Sequence, residues 1–288
     1  MTVDDWPVEI LRDRVDRAGE LRAEIGHVWN EYLDTKPRQL GAVPASDDSW
    51  FFVIKTVRPM PTRLSTLFGE WLYELRSALD GLAYHLAVRD SGKNPPPAES
   101  GIYFPIFTDA EKFDSRDHRG RMKALSDDTF RLLRHIQPFN AAPDHMSNVL
   151  WWLNRLAMID RHRRGHALAA HIVNIRVGLA EPLQLVRSLA PDPFRAIPID
   201  ESKPTPILEF KAPLGWNEMQ IRDHIDYSKA TSNVLDVTEW ARDASRPMAR
   251  LELEQRMRLS ESYVLDEIIN PLVNGDISLL NTVKSECD

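Results

Sequence analysis

Apolar residues at Val8, Leu11, Val15, Ala18, Leu21, Ile25, Val28 and Tyr32 recur every three or four positions, the period of one helix face. Asp4 or Asp5 can cap that helix, Pro7 suits its first turn, and Lys36-Pro37 ends it. Residues 50–57 are aromatic and β-branched and read as a strand closed by Pro59 and Pro61. A second long helix is expected over residues 62–90, with Phe68, Leu72, Leu75, Leu79, Leu82 and Leu86 as its seam and Ser91-Gly92 as its stop. Gly69 and Gly81 lie off that seam, and each costs roughly 1 kcal/mol of helix propensity relative to Ala. Either something approaches closely there, or the helix tolerates them.

Thr108 and Glu111 have the spacing of a capping box for a short helix, and another helix is expected over residues 126–136. Asp144 can cap the next, which turns Val149, Leu153 and Leu156 inward. Past Gly165 the period falls to two, with Val173, Ile175, Val177 and Leu179 alternating with polar or small residues; further extended stretches are expected at 194–199 and 207–211. Residues 216–240 carry no readable period. Ser245 and Pro247 open a last helix through Met257, Val264, Ile268 and Leu272. The pattern predicts an α+β fold, an antiparallel helical bundle with an antiparallel sheet inserted before the last long helix. One domain over 1–288 is expected, with the bundle at 5–166 and 246–272, a β-rich insertion at about 169–240 and a flexible tail at 275–288.

No apolar run approaches the roughly 18 residues of a spanning helix, and the first helix is charged throughout, so a soluble, cytoplasmic chain with no membrane partner is expected. The single cysteine, Cys287, allows no internal disulfide and no sulfur-rich metal site. A formal charge of −7 argues against a surface given over to nucleic acid. That charge is uneven. Residues 116–166 hold ten Arg and Lys against five Asp, a balance of +5, together with five of the nine histidines. This segment is where RNA or another anionic ligand is expected to bind, unless its charges form an ordinary solvated face. A homodimer is left open.

The chemistry concentrates in Asp160-Arg161-His162-Arg163-Arg164-Gly165-His166. Asp160 and Arg163 continue the Val149, Leu153, Leu156 stripe, where apolar side chains belong, and a buried charge needs a partner. Arg76 and Asp80, four apart beside the seam of the second helix, can supply it: Arg76 to Asp160 and Asp80 to Arg163. His85 lies near the same side. The plain alternative is that the arginines suit the last turn of a helix, where the carbonyl end of the dipole attracts cations. His162 and His166 have the i, i+4 spacing of two metal ligands, but no third ligand is placed with them, and neither metal nor cofactor is expected.

Arg161 and His166 fit Arg-x4-His, the short signature that resembles HEPN-type ribonucleases. That resemblance implies a histidine moving a proton as an RNA 2′-hydroxyl attacks, with arginine stabilising the phosphate. A longer resemblance rests on GEWLYELRSALDGLA (69–83), FPI (104–106), QPF (137–139) and IDRHR (159–163). These are similar to a bacterial family of uncharacterised proteins with the pattern G-D-x-L-x-N-L-R-S-A-L-D-H-L, F-P-I, Q-P-Y and I-D-K-H-R. The chain departs from it at Glu70, Gly81 and Arg161, and Gly81 leaves the role of the family histidine empty unless His85 fills it.

Three functions follow as expectations. The first is a metal-independent ribonuclease or phosphodiester-processing protein of HEPN-like type, in a defence or toxin setting. In it Arg161, His162 and His166 are catalytic, and Arg76, Asp80, His85, Asp160 and Arg163 bind substrate. The second is a non-enzymatic binding or assembly module whose Arg/Asp cluster is structural. The third is a small-molecule enzyme with an anionic substrate.

Overall fold

The computed structural model describes residues 8–162, 168–173, 177–189, 197–226, 232–237 and 251–275. Two long helices come first, α1 (Glu9–Asp34) and α2 (Arg63–Ser91). Their apolar faces pack antiparallel, with Leu11 against Gly81, Arg14 bonded to Glu74 at 2.8 Å and Arg63 paired with Glu24. Gly92 ends α2 in the left-handed conformation at φ 64°, which costs glycine no Cβ clash, and its N–H closes on Val88 O.

Short helices follow: α3 (Ala110–Phe113), α4 (Arg116–Arg121) and α5 (Asp127–His135). Ser126 caps α5 as its position predicts, but α3 is capped by Asp109 rather than Thr108. The Asp109 carboxylate accepts from the N–H groups of Glu111 and Lys112. Asp144 caps only a 3₁₀ turn, His145–Ser147, and Asn148 then receives the Leu150 N–H at the start of α6 (Val149–His162).

The strands are β1 (Arg38–Pro44), β2 (Ser49–Thr56), β3 (Leu168–Val173), β4 (Gly178–Leu179), β5 (Gln184–Ser188), β6 (Ile197–Pro198), β7 (Thr205–Lys211), β8 (Ile225–Asp226) and β9 (Ser232–Val237), with α7 (Glu218–Arg222) between β7 and β8. Among the described residues they form three antiparallel sheets, ordered β1-β2-β7-β5, β6-β3-β9 and β4-β8. The fold is α+β with antiparallel sheets, as the pattern predicts, and the described late strands are divided among the three. β2 buries Phe52, Val53 and Ile54 in succession, so both of its faces are covered, and it takes β1 on one edge and β7 on the other.

The last helix, α8 (Leu253–Ser262), runs into a π-helical stretch, Tyr263–Ile269, and then α9 (Asn270–Asn274). Pro271 has no N–H and crowds the carbonyl four residues back, so a wider local turn accommodates it. Arg22 of α1 ties this helix in through Glu254 at 2.8 Å and Glu261 at 3.0 Å, and the Trp71 indole N–H donates to Glu261 at 2.8 Å. The same Trp71 indole meets Trp152 of α6 with ring centroids 6.0 Å apart. Helices α1, α2, α6 and α8 thus make the bundle. Among the described residues no helix is long and apolar enough to cross a membrane.

Candidate functional site at the end of the sixth helix

Residues 104–107 run extended between α2 and α5 without joining a sheet, because Pro105 lacks an N–H for a ladder. Side chains satisfy the backbone instead. Phe104 N–H donates to Asp80 Oδ1 at 2.9 Å, and Arg76 donates to Phe104 O at 2.7 Å while lying 3.0 Å from Asp80. Gln137 completes the clamp: its amide nitrogen donates to Pro105 O at 3.0 Å and Leu133 O at 2.8 Å, and its oxygen accepts from Phe107 N–H at 2.8 Å. Arg76, Asp80 and Gln137 all belong to the quoted motifs, and together they hold one piece of main chain.

Asp160 behaves differently. Its carboxylate lies directly over Gly69 of α2, so that a Cβ at residue 69 would stand 3.0 Å from Oδ2 and 3.1 Å from Oδ1. The close approach expected at Gly69 is thereby accounted for. The pairing of Asp160 with Arg76 is not. The Arg76 guanidinium turns toward Asp80, away from Gly69, and the two residues are seven apart on α2, about 10 Å of helix rise. Among the described residues Asp160 makes neither an ion pair nor a hydrogen bond, although it is half-buried and lines an open cleft with Arg17, Ser65, Glu70 and Tyr73. It also sits near the carbonyl end of α6, where the helix dipole disfavours an anion.

The basic segment sorts itself in the same way. Arg119, Arg121, Arg131 and Arg134 are spent on Asp127, Asp117, Asp128 and Asp114. Arg155 is exposed, makes no ion pair among the described residues, and rests 5.9 Å from the Trp151 ring centroid. The positive surplus therefore moves toward the second half of α6, which carries no acid before Asp160. Arg161 and His162 lie on the last turn of α6 by backbone; their side chains, and Arg163, Gly165 and His166, fall outside the described residues.

His85 is not brought to this end. It lies sixteen residues beyond Gly69 on α2, about 24 Å along the helix, with no hydrogen-bond partner for its Nδ1 among the described residues. Burial holds its pKa below the usual histidine value, and Arg89 adds to the effect. Gly81 is filled from the other side: a Cβ there would stand 2.9 Å from Leu11 Cδ2, so a histidine would collide with α1.

A buried polar cluster escaped the sequence pattern. Arg256 of α8, 0% exposed, pairs with Asp236 of β9 beneath the Trp152 ring, and His171 of β3, also 0% exposed, lies within the field of Arg256. Burial raises the Asp236 pKa against the pull of Arg256. Burial also drives His171 down to about 4, leaving a neutral ring whose Nδ1 lies 3.0 Å from Ala169 O. The one available signal was His171 as the single polar residue in an apolar run that begins at Leu168, earlier than the expected strand.

No grouping of three or more His, Cys, Asp or Glu able to hold a metal occurs among the described residues. No family model, curated protein or solved structure matches the chain.

Proposed function

We propose that the chain is a cytoplasmic bacterial RNA-binding protein of HEPN-like type that cleaves phosphodiesters without a metal at the C-terminal end of α6. The observation that carries this reading is Asp160, a half-buried carboxylate with no ion pair or hydrogen bond among the described residues, seated over a glycine at a cleft and followed at once in sequence by Arg161-His162-Arg163-Arg164. An anion left open at the wrong end of a helix dipole is a cost that a purely structural site would remove. Arg161 and Arg163 would hold the phosphate, and His162 or His166 would take the 2′-hydroxyl proton as that oxygen attacks phosphorus; the P–O5′ bond then breaks, leaving a 2′,3′-cyclic phosphate, and the imidazolium returns the proton to the departing 5′-oxygen. Asp160 would orient the protonated imidazole.

The test is incubation of mixed RNA with the purified protein in EDTA beside His162→Ala and His166→Ala. One of these substitutions abolishes cleavage while leaving binding nearly intact, because proton transfer belongs to the transition state. Cleavage that survives both, or no RNA affinity at low salt, removes the reading. A non-enzymatic module is then the better account, and one observation already favours it: Arg76 and Asp80 bond main chain at Phe104.

A further inference from the structure

The outer face of α6 carries an aromatic and cationic pair that the proposed cleavage site does not use. Trp151, Arg155 and Met158 are spaced four and three apart, and position 162 continues that face by register. Arg155 lies over the Trp151 indole, His145 meets the same ring at 5.8 Å and 69°, and Met158 is 54% exposed. Between this face and residues 106–108 lies an open cleft of about 400 Å³, bounded by Ile106, Thr108, Trp151, Asn154, Arg155 and Met158. The clamp on residues 104–107 fixes its far wall. Asn154 sits between the aromatic ring and the thioether, 3.8 Å from Met158 Sδ, with an amide able to donate and accept.

We propose that this cleft holds a base of single-stranded RNA, laid on Trp151, closed over by Arg155 and hydrogen-bonded along its edge by Asn154. The proposal rests on the RNA reading of the α6 terminus and names how the strand is gripped upstream of it. Three features support that occupant over an apolar one. A planar ring stacks on indole whatever its sequence, an arginine with no ion pair among the described residues can cover the second face of the base, and the same cation answers the phosphate beside it. The register of residues 151, 155 and 158 then directs the strand along α6 toward position 162.

The experiment is fluorescence anisotropy with a short 2′-O-methyl oligouridylate, which lacks the attacking hydroxyl and is not cleaved, against an abasic strand of the same backbone. Trp151→Ala weakens binding of the oligouridylate about 5- to 100-fold, the range for one lost base stack, and leaves the abasic strand unchanged. Trp151→Phe keeps most of the affinity. Because Trp151 also packs on the core, Arg155→Ala at an exposed position gives the second readout: a larger loss on the oligouridylate than on the abasic strand. Equal losses on both strands, or none on either, overturn the platform while the RNA reading stands. A wild-type protein that binds neither strand at low salt overturns both.

Discussion

The clamp of Arg76 and Asp80 on α2 and the carboxylate of Asp160 on α6 come from two motifs of one sequence pattern, yet the fold puts them to opposite uses. The first pair bonds both the N–H and the C=O of Phe104, a residue with 0% exposure. Asp160 bonds nothing among the described residues and faces an open cleft. Charges that satisfy main chain make a frame, and a charge left open beside a cleft is free to meet a ligand. The buried Asp236–Arg256–His171 cluster lies at the sealed extreme of the same scale, closed off from solvent by Trp152 and the sheet.

The sealed extreme gives the largest expected effect. His171 has a folded pKa of about 4, below the ordinary value of 6.5, so it contributes stability that is fully present above about pH 6.5 and is lost as pH falls through 4. Relative to His171→Gln, wild type should lose about 3 kcal/mol between pH 7 and pH 4 in denaturant melts. Measuring the difference cancels the opposing protonation of Asp236 and Glu261, whose raised pKa values act in the other direction. A flat difference would mean that the ring is solvated.

The clamp comes next. Asp80→Ala strands the Phe104 N–H and removes the acceptor beside Arg76, at a cost of about 2 kcal/mol after allowing for the partial exposure of Asp80. Asp160→Ala should change stability by no more than about 0.5 kcal/mol, since among the described residues it breaks no bond, and it relieves the dipole. Equal costs at the two positions would erase the contrast between frame and open charge.

The smallest effect tests the glycine beneath Asp160. Gly69→Ala alone should fail to deliver the roughly 1 kcal/mol of helix propensity it offers, because its Cβ meets the carboxylate at 3.0 Å; with Asp160→Ala present, that gain should appear. Strict additivity in this double-mutant cycle would show that the two residues do not touch.

Much of the bundle was legible because a 3.6-residue period survives along Leu11 to Tyr32 and Phe68 to Leu86, and the stops at Lys36-Pro37 and Gly92 are local chemistry. Strand pairing was not legible. Nothing local tells β2 to take β7 as its neighbour some 150 residues later, and Gly41 and Pro44 disguise β1 as a loop. At the site, the misplaced charge at Asp160 was visible as a break in an apolar stripe. Its expected partner, Arg76, is engaged elsewhere for a physical reason: charge patterns suggest other charges, whereas Arg76 and Asp80 bond the backbone of Phe104, which no side-chain pattern displays; the pairing of Asp80 with Arg163 lies outside the described residues. The Asp236–Arg256 pair was hidden because its members lie on a strand without readable period and on a helix 20 residues further on.

The central claim is a division of labour between frame and open end, and the most direct measurement follows RNA affinity against salt for Asp80→Asn and Arg161→Ala beside their melts. The account predicts that Arg161→Ala flattens the log–log salt slope by about one unit with stability nearly unchanged, while Asp80→Asn lowers stability and leaves the slope of the folded protein intact. A folded Asp80→Asn protein whose slope falls by a unit, with Arg161→Ala behaving as wild type, would contradict it.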